Sequence, residues 1–223
     1  MMPSAPAAGR PRRALPGPLY LVTDRAQAGG RPLADVVEAA LRGGARIVQL
    51  REKDLSGRPL TQLGDELRAV TRRHGALLLV NDRVDVALAA EADGAHLATT
   101  SMAPGDVRPL LGPDRWLGAS AHSLLQAKEA EAGGADFVVF GPVFETPSKA
   151  RYGPPVGLGA FEEAKQALTI PVLAIGGIKP ENVAQVARAG ADGFAVISAI
   201  LTDPDPESAT RRLLQAWRDA VRA

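Results

Sequence analysis

The chain contains no cysteine, which excludes disulfides, thiolate-bound metal and a thiol nucleophile. Its net charge is only +1, too little for a broad electrostatic field directed at nucleic acid; the cluster Arg10, Arg12 and Arg13 reads as part of a solvated tail. No apolar run is long enough to cross a bilayer. The stretch through Pro18 is rich in Pro, Ala and Arg and lacks the apolar segment of a signal peptide, so 1–18 is expected to be a disordered tail. These absences point to a cytoplasmic protein that engages neither nucleic acid nor membrane. What is present is 46% apolar residues in a chain of 223, enough to bury one core. Nothing from Leu19 onward reads as a linker, so a single domain over 19–223 is expected.

Eight short apolar runs, at 19–23, 47–50, 77–80, 95–97, 116–119, 137–140, 172–175 and 194–197, are each closed by polar residues or glycine, and most are followed by a helical pattern. Runs apolar on both faces suit parallel strands covered by helices. A coarse repeat supports the count: a helix end, one or two glycines and a new strand recur at 42–45, 92–95, 133–136 and 189–193. Glycine just past a helix end supplies the left-handed turn that such a loop needs. Leu33, Val36, Val37, Ala40 and Leu41 form one helical stripe. Leu214, Trp217 and Val221 form another, after Asp205 as N-cap and Pro206 at the first helical position. His74, before Gly75, reads as a helix C-cap. The alternation also permits an open doubly wound sheet, but eight units in about 200 residues favour closure. The predicted fold is therefore α/β, a single (β/α)8 TIM barrel.

In such a barrel the strand C-termini open onto one face, where chemistry gathers. Arg51 and Lys53 alternate just beyond the second run and share their side of the pleat with Gln49, so three donors could converge on a diphosphate. The plainer alternative is a solvated charge run. Against it, Gln49 lies inside an apolar strand, where an unpaired amide costs about 1–3 kcal/mol. Asn81-Asp82 ends the third and most apolar run; Asp82 could hold Mg2+, or could cap the helical segment 83–89. The loop 141–157 carries Thr146 and Ser148 beside Lys149 and reads as a lid or binding loop. Gly176-Gly177 and Ser198 follow the seventh and eighth runs, where barrels often bind phosphate. His122 follows Ser120 at the fifth strand end, as an acid/base or as a donor to a loop carbonyl. His96, within the fourth run, reads as structural.

Seven ordered segments carry a resemblance: Gln49 to Lys53, Asn81 to Leu88, Ala92 to Leu97, Leu117 to His122, Gly141 to Phe144, Ala174 to Ile178 and Ala195 to Ile200. Together they resemble the thiamine phosphate synthase and thiazole tautomerase superfamily, from Leu19 to about Val221. The resemblance implies an enzyme that joins a hydroxymethylpyrimidine diphosphate to a thiazole phosphate and expels pyrophosphate through a pyrimidine carbocation. It implies that Gln49, Arg51, Lys53, Asn81 and Lys149 hold the pyrimidine diphosphate, that Asp82 binds Mg2+ and that Ser120 lies near the pyrimidine. Thr146, Ser148, Gly177, Ile197 and Ser198 would hold the thiazole phosphate. Lys149, Ser120 and His122 are the candidate catalytic residues. One position departs: Ser101 stands where the synthase pattern has a second Mg2+-binding Asp, and a neutral hydroxyl is a poorer ligand. The tautomerase branch also lacks that carboxylate, has Phe-Glu-Thr as at 144–146, and uses a histidine matching His122 to isomerise a thiazole carboxylate phosphate. Lys53 and the intact Asn81-Asp82 match diphosphate charge and favour the synthase. A phosphate-binding regulator and a phosphosugar isomerase on the same scaffold are the further alternatives. The implied partners are the two small phosphorylated substrates, and homo-oligomerisation stays open.

Overall fold

The computed structural model describes residues 13–146 and 154–222. Its strands are β1 Leu19–Val22, β2 Ile47–Leu50, β3 Leu77–Asn81, β4 Gly94–Leu97, β5 Trp116–Ala121, β6 Phe137–Phe140, β7 Val172–Ile175 and β8 Gly193–Val196. All pair in parallel and in sequence order, and β1 pairs with β8, so the sheet closes and the open-sheet alternative falls. Between and after them run α1 Leu33–Gly43, α2 Gly57–Arg73, α3 Val84–Ala89, α4 Pro104–Leu111, α5 Leu124–Ala132, α6 Gly157–Ala167, α7 Val183–Arg188, α8 Ser198–Leu201 and α9 Pro206–Arg222. No helix among the described residues is long and apolar enough to cross a membrane.

Strand alternation divides the core in two. Outward residues such as Leu21, Val48, Leu78 and Val138 pack under the helices. Inward residues Tyr20, Ile47, Leu79, Trp116, Phe137, Val139 and Leu173 fill the barrel, which is a packed interior and not a pore. The five residues of the α1 stripe are all buried. Asp205 caps α9, accepting the Ser208 N–H at 3.0 Å, and Leu214 and Trp217 are buried below it. Val221, in the last turn, is exposed. His74 is the C-cap of α2, as its place before Gly75 predicts.

The expected tail reaches too far. Arg13 lies 3.9 Å over the Trp116 ring and donates to the Asp114 carbonyl at 3.1 Å, while the Pro18 carbonyl accepts the Phe194 N–H at 2.7 Å. Residues 13–18 thus lie against the N-terminal end of the barrel, held by a cation over an aromatic face that composition alone does not reveal. Residues 1–12 lie outside the described residues.

Candidate active site

The opposite end of the barrel, its mouth, gathers the strand ends. Alternation beyond β2 puts Glu52 on the side opposite to Arg51 and Lys53. Its buried carboxylate accepts Thr23 Oγ1 at 2.7 Å, the Arg25 backbone N–H at 3.1 and 3.0 Å, and Arg25 Nη1 at 3.2 Å. Thr23 Oγ1 in turn accepts the Arg51 N–H at 2.9 Å. Arg25 also grips Asp54, through Nη1 at 2.7 Å and through Nη2, and this holds the Asp54 carboxyl below its usual range. The segment 51–53 is therefore not a uniform solvated charge run: its middle member is a buried clamp onto the end of β1, as a desolvated carboxylate requires. Arg51 is half-buried and Lys53 exposed. Gln49 is buried, and its Nε2 donates to the Tyr20 hydroxyl at 2.9 Å, so the amide is satisfied within the barrel two residues below Arg51.

Asp82 has φ +59°, a left-handed conformation that Asp and Asn tolerate best among non-glycine residues. Its Oδ1 accepts the Ala98 N–H at 3.0 Å and the Ser101 hydroxyl, and its Oδ2 accepts Asn81 Nδ2 at 2.7 Å. The N-cap of α3 is Arg83, without a side-chain cap bond. The capping alternative for Asp82 therefore falls, because its carboxylate bridges the loops after β3 and β4. Asp85 is taken by Arg83 in two hydrogen bonds of 2.8 and 2.5 Å, which hold its carboxyl low. Among the described residues no cluster of three or more His, Cys, Asp or Glu forms a metal cage. The single carboxylate of Asp82, held in place by Asn81, Ala98 and Ser101, nevertheless fits Mg2+, which needs only one or two carboxylates when it keeps waters and shares phosphate oxygens.

His96 is buried between the rings of Tyr20 and Phe137, with centroids 5.7 and 5.8 Å away. Its Nε2 lies 3.0 Å from Ser120 Oγ. Its Nδ1 has no partner among the described residues and faces Gly118, where a Cβ would lie 2.5 Å from it. We assign the proton to Nε2, donating to Ser120, because a bare buried lone pair is less costly than a bare N–H. Ser120 Oγ is then the acceptor, which leaves its own proton available to donate elsewhere. Burial pushes the His96 pKa from 6.5 down to about 3, outweighing the opposing pull of Asp82. Between those values the unfolded chain binds a proton that the folded chain refuses, so stability falls as pH drops from 6.5 toward 3. Imidazole NMR of the folded protein should show His96 still neutral at about pH 5; a titration midpoint above that value would contradict this environment.

On the far side of the mouth, the loop after β6 extends the sheet: Val143 N–H donates to the Ile175 carbonyl at 2.8 Å and Phe144 N–H to the Gly176 carbonyl at 3.2 Å. Gly177 has φ +64°, and a Cβ there would lie 2.5 Å from the Glu145 carbonyl, so glycine is required. Thr146 is half-buried in this loop; Ser148 and Lys149 lie outside the described residues. Ile197 packs against the barrel interior, and Ser198 opens α8. The backbone N–H groups of Gly177 and Ser198, on the neighbouring strand ends β7 and β8, take no partner among the described residues, an arrangement suited to an anion. The His122 ring donates through Nδ1 to the Gly141 carbonyl, a bond that orients the ring and leaves the acid/base expectation to Nε2.

The mouth thus places Arg51, Asn81, Asp82, Ser101 and Ser120 on one side and Gly177 and Ser198 on the other. A thiamine-phosphate synthase of Roseiflexus castenholzii is 51% identical over 197 residues, covering 88% of this chain and 86% of that protein. One of Moorella thermoacetica is 46% identical over 195 residues, covering 87% and 93%. The solved thiamine phosphate pyrophosphorylase from Pyrococcus furiosus superposes with a TM-score of 0.84 at 38% identity, covering 92% of this chain and 96% of that one. The family model described as thiamine monophosphate synthase matches residues 19–200, from the first residue of β1 into α8. With the match running unbroken through every strand of the barrel, this chain belongs to the thiamine monophosphate synthase family.

Proposed function

We propose that the chain is a thiamine-phosphate synthase, a transferase that joins hydroxymethylpyrimidine diphosphate to hydroxyethylthiazole phosphate and releases pyrophosphate. The observation that carries this reading is the junction of Asn81, Asp82 and Ser101 at the mouth, on the strand ends next to that of Arg51. Arg51 and Lys53 bind the diphosphate, the first as a fork and the second as a mobile charge. Asp82 would hold Mg2+, which would supply positive charge where the leaving group gathers negative charge. The methylene C–O bond breaks, and its electron pair departs with pyrophosphate. The thiazole nitrogen then forms the new C–N bond to the pyrimidine methylene. Ser120, its hydroxyl oriented by His96, contacts the pyrimidine, and the packed interior excludes water from the cation. Thr146, Ser148, Gly177, Ile197 and Ser198 receive the thiazole phosphate, and Lys149 belongs with the diphosphate.

The tautomerase alternative is not favoured, because the similar relatives of this chain bear the synthase name. The test is pyrophosphate release from purified protein given both half-molecules and Mg2+, with thiamine phosphate followed in parallel. The expected result is equal amounts of both products. Absence of product from folded protein that still accelerates aromatisation of the thiazole carboxylate phosphate would overturn the proposal.

A further inference from the structure

Asn182 stands at the N-cap of α7, where an asparagine ordinarily accepts an N–H from the first helical turn. Here it makes no such bond. Its Oδ1 instead accepts the Lys179 N–H at 2.8 Å, and its Nδ2 donates to the Gly177 carbonyl at 2.9 Å. Both polar atoms of the side chain are committed to the turn after β7, and neither to the helix.

That turn has two successive peptide planes, each fixed by its carbonyl. The Gly176 carbonyl accepts Phe144 N–H at 3.2 Å, and the Gly177 carbonyl accepts Asn182. In a trans peptide the N–H points opposite to the carbonyl, so these two bonds direct the Gly177 and Ile178 N–H groups away from Phe144 and Asn182. Neither N–H has a partner among the described residues. A carbonyl turned toward the same space would repel an anion; the Asn182 amide keeps one of them turned away.

We propose that Asn182 is a positioning residue for phosphate: it holds the Gly177–Ile178 peptide so that the turn offers N–H groups, and not a carbonyl, to the phosphate of the thiazole substrate. The inference rests on the reading that this turn receives that phosphate.

The test compares Asn182→Asp with Asn182→Ala in the full chain. Aspartate caps helices as well as asparagine does, and it keeps the acceptor for Lys179. It replaces the donor to Gly177 with an oxygen that repels that carbonyl. A capping role therefore predicts a wild-type-like Asp variant, whereas positioning predicts Asp at least as impaired as Ala. In both variants the KM for thiazole phosphate should rise roughly tenfold or more, while the KM for the pyrimidine diphosphate stays within about twofold. Inorganic phosphate, titrated by its 31P resonance, should bind the wild type and bind Asn182→Asp roughly tenfold more weakly. This arm decides the inference even if the wild type makes no thiamine phosphate, a result that would count against the synthase reading alone. An Asp variant matching wild type, equal shifts in both KM values, or a wild type that does not bind phosphate would each overturn it.

Discussion

Asp82→Asn should lower the turnover of pyrophosphate release by roughly 10²–10³-fold while leaving the melting temperature within a few degrees. Asparagine keeps the shape and tolerates the φ of +59° found at this position. It can still accept the Ala98 N–H that now reaches Oδ1. What changes is the charge, and with it the second oxygen: an amide nitrogen there would face the Asn81 amide that currently donates to Oδ2 at 2.7 Å. The loss should appear in turnover more than in thiazole phosphate KM, because charge on the leaving group develops mainly in the transition state. Asp82→Ala should be as inactive but less stable, since alanine is poorly suited to a left-handed backbone. Activity of Asp82→Asn within about threefold of wild type would remove Asp82 from the chemistry.

Arg51→Ala should cost roughly 10²-fold in kcat/KM for the pyrimidine diphosphate, in the range of losing one strong charged donor at a transition state. Arg51→Lys should recover part of this and stall roughly tenfold below wild type, because an ammonium supplies charge without a bidentate fork. The backbone of Arg51 is already anchored through Thr23 to Glu52, so truncating the side chain leaves the clamp intact and a large stability loss is not expected. A lysine variant equal to wild type would show that point charge suffices; an alanine variant within about threefold would overturn the assignment.

Much of this architecture was legible because its signals are local. Largely apolar runs marked every strand, the glycines past helix ends marked the turns, and Asp205-Pro206 marked the start of α9. The illegible parts depend on partners distant in the chain. Glu52 looked like one more surface charge, yet its hydrogen-bond partners Thr23 and Arg25 are 29 and 27 residues away. His96 looked merely structural until its Nε2 met Ser120, 24 residues on. Asp82 carried an ordinary capping signal, and only the return of the chain after β4 brought Ala98 and Ser101 to its carboxylate. Asn182, not singled out from the sequence, likewise serves the turn before its helix and not the helix itself.

The filled interior has one more consequence. Tyr20, Trp116, Phe137 and Leu173 leave the barrel solid along its axis, and Arg13 lies across Trp116 at the far end. The mouth is accordingly closed from below by packed side chains. Ligands that gather at the strand ends therefore arrive and depart on that one side of the barrel, and none passes along its axis.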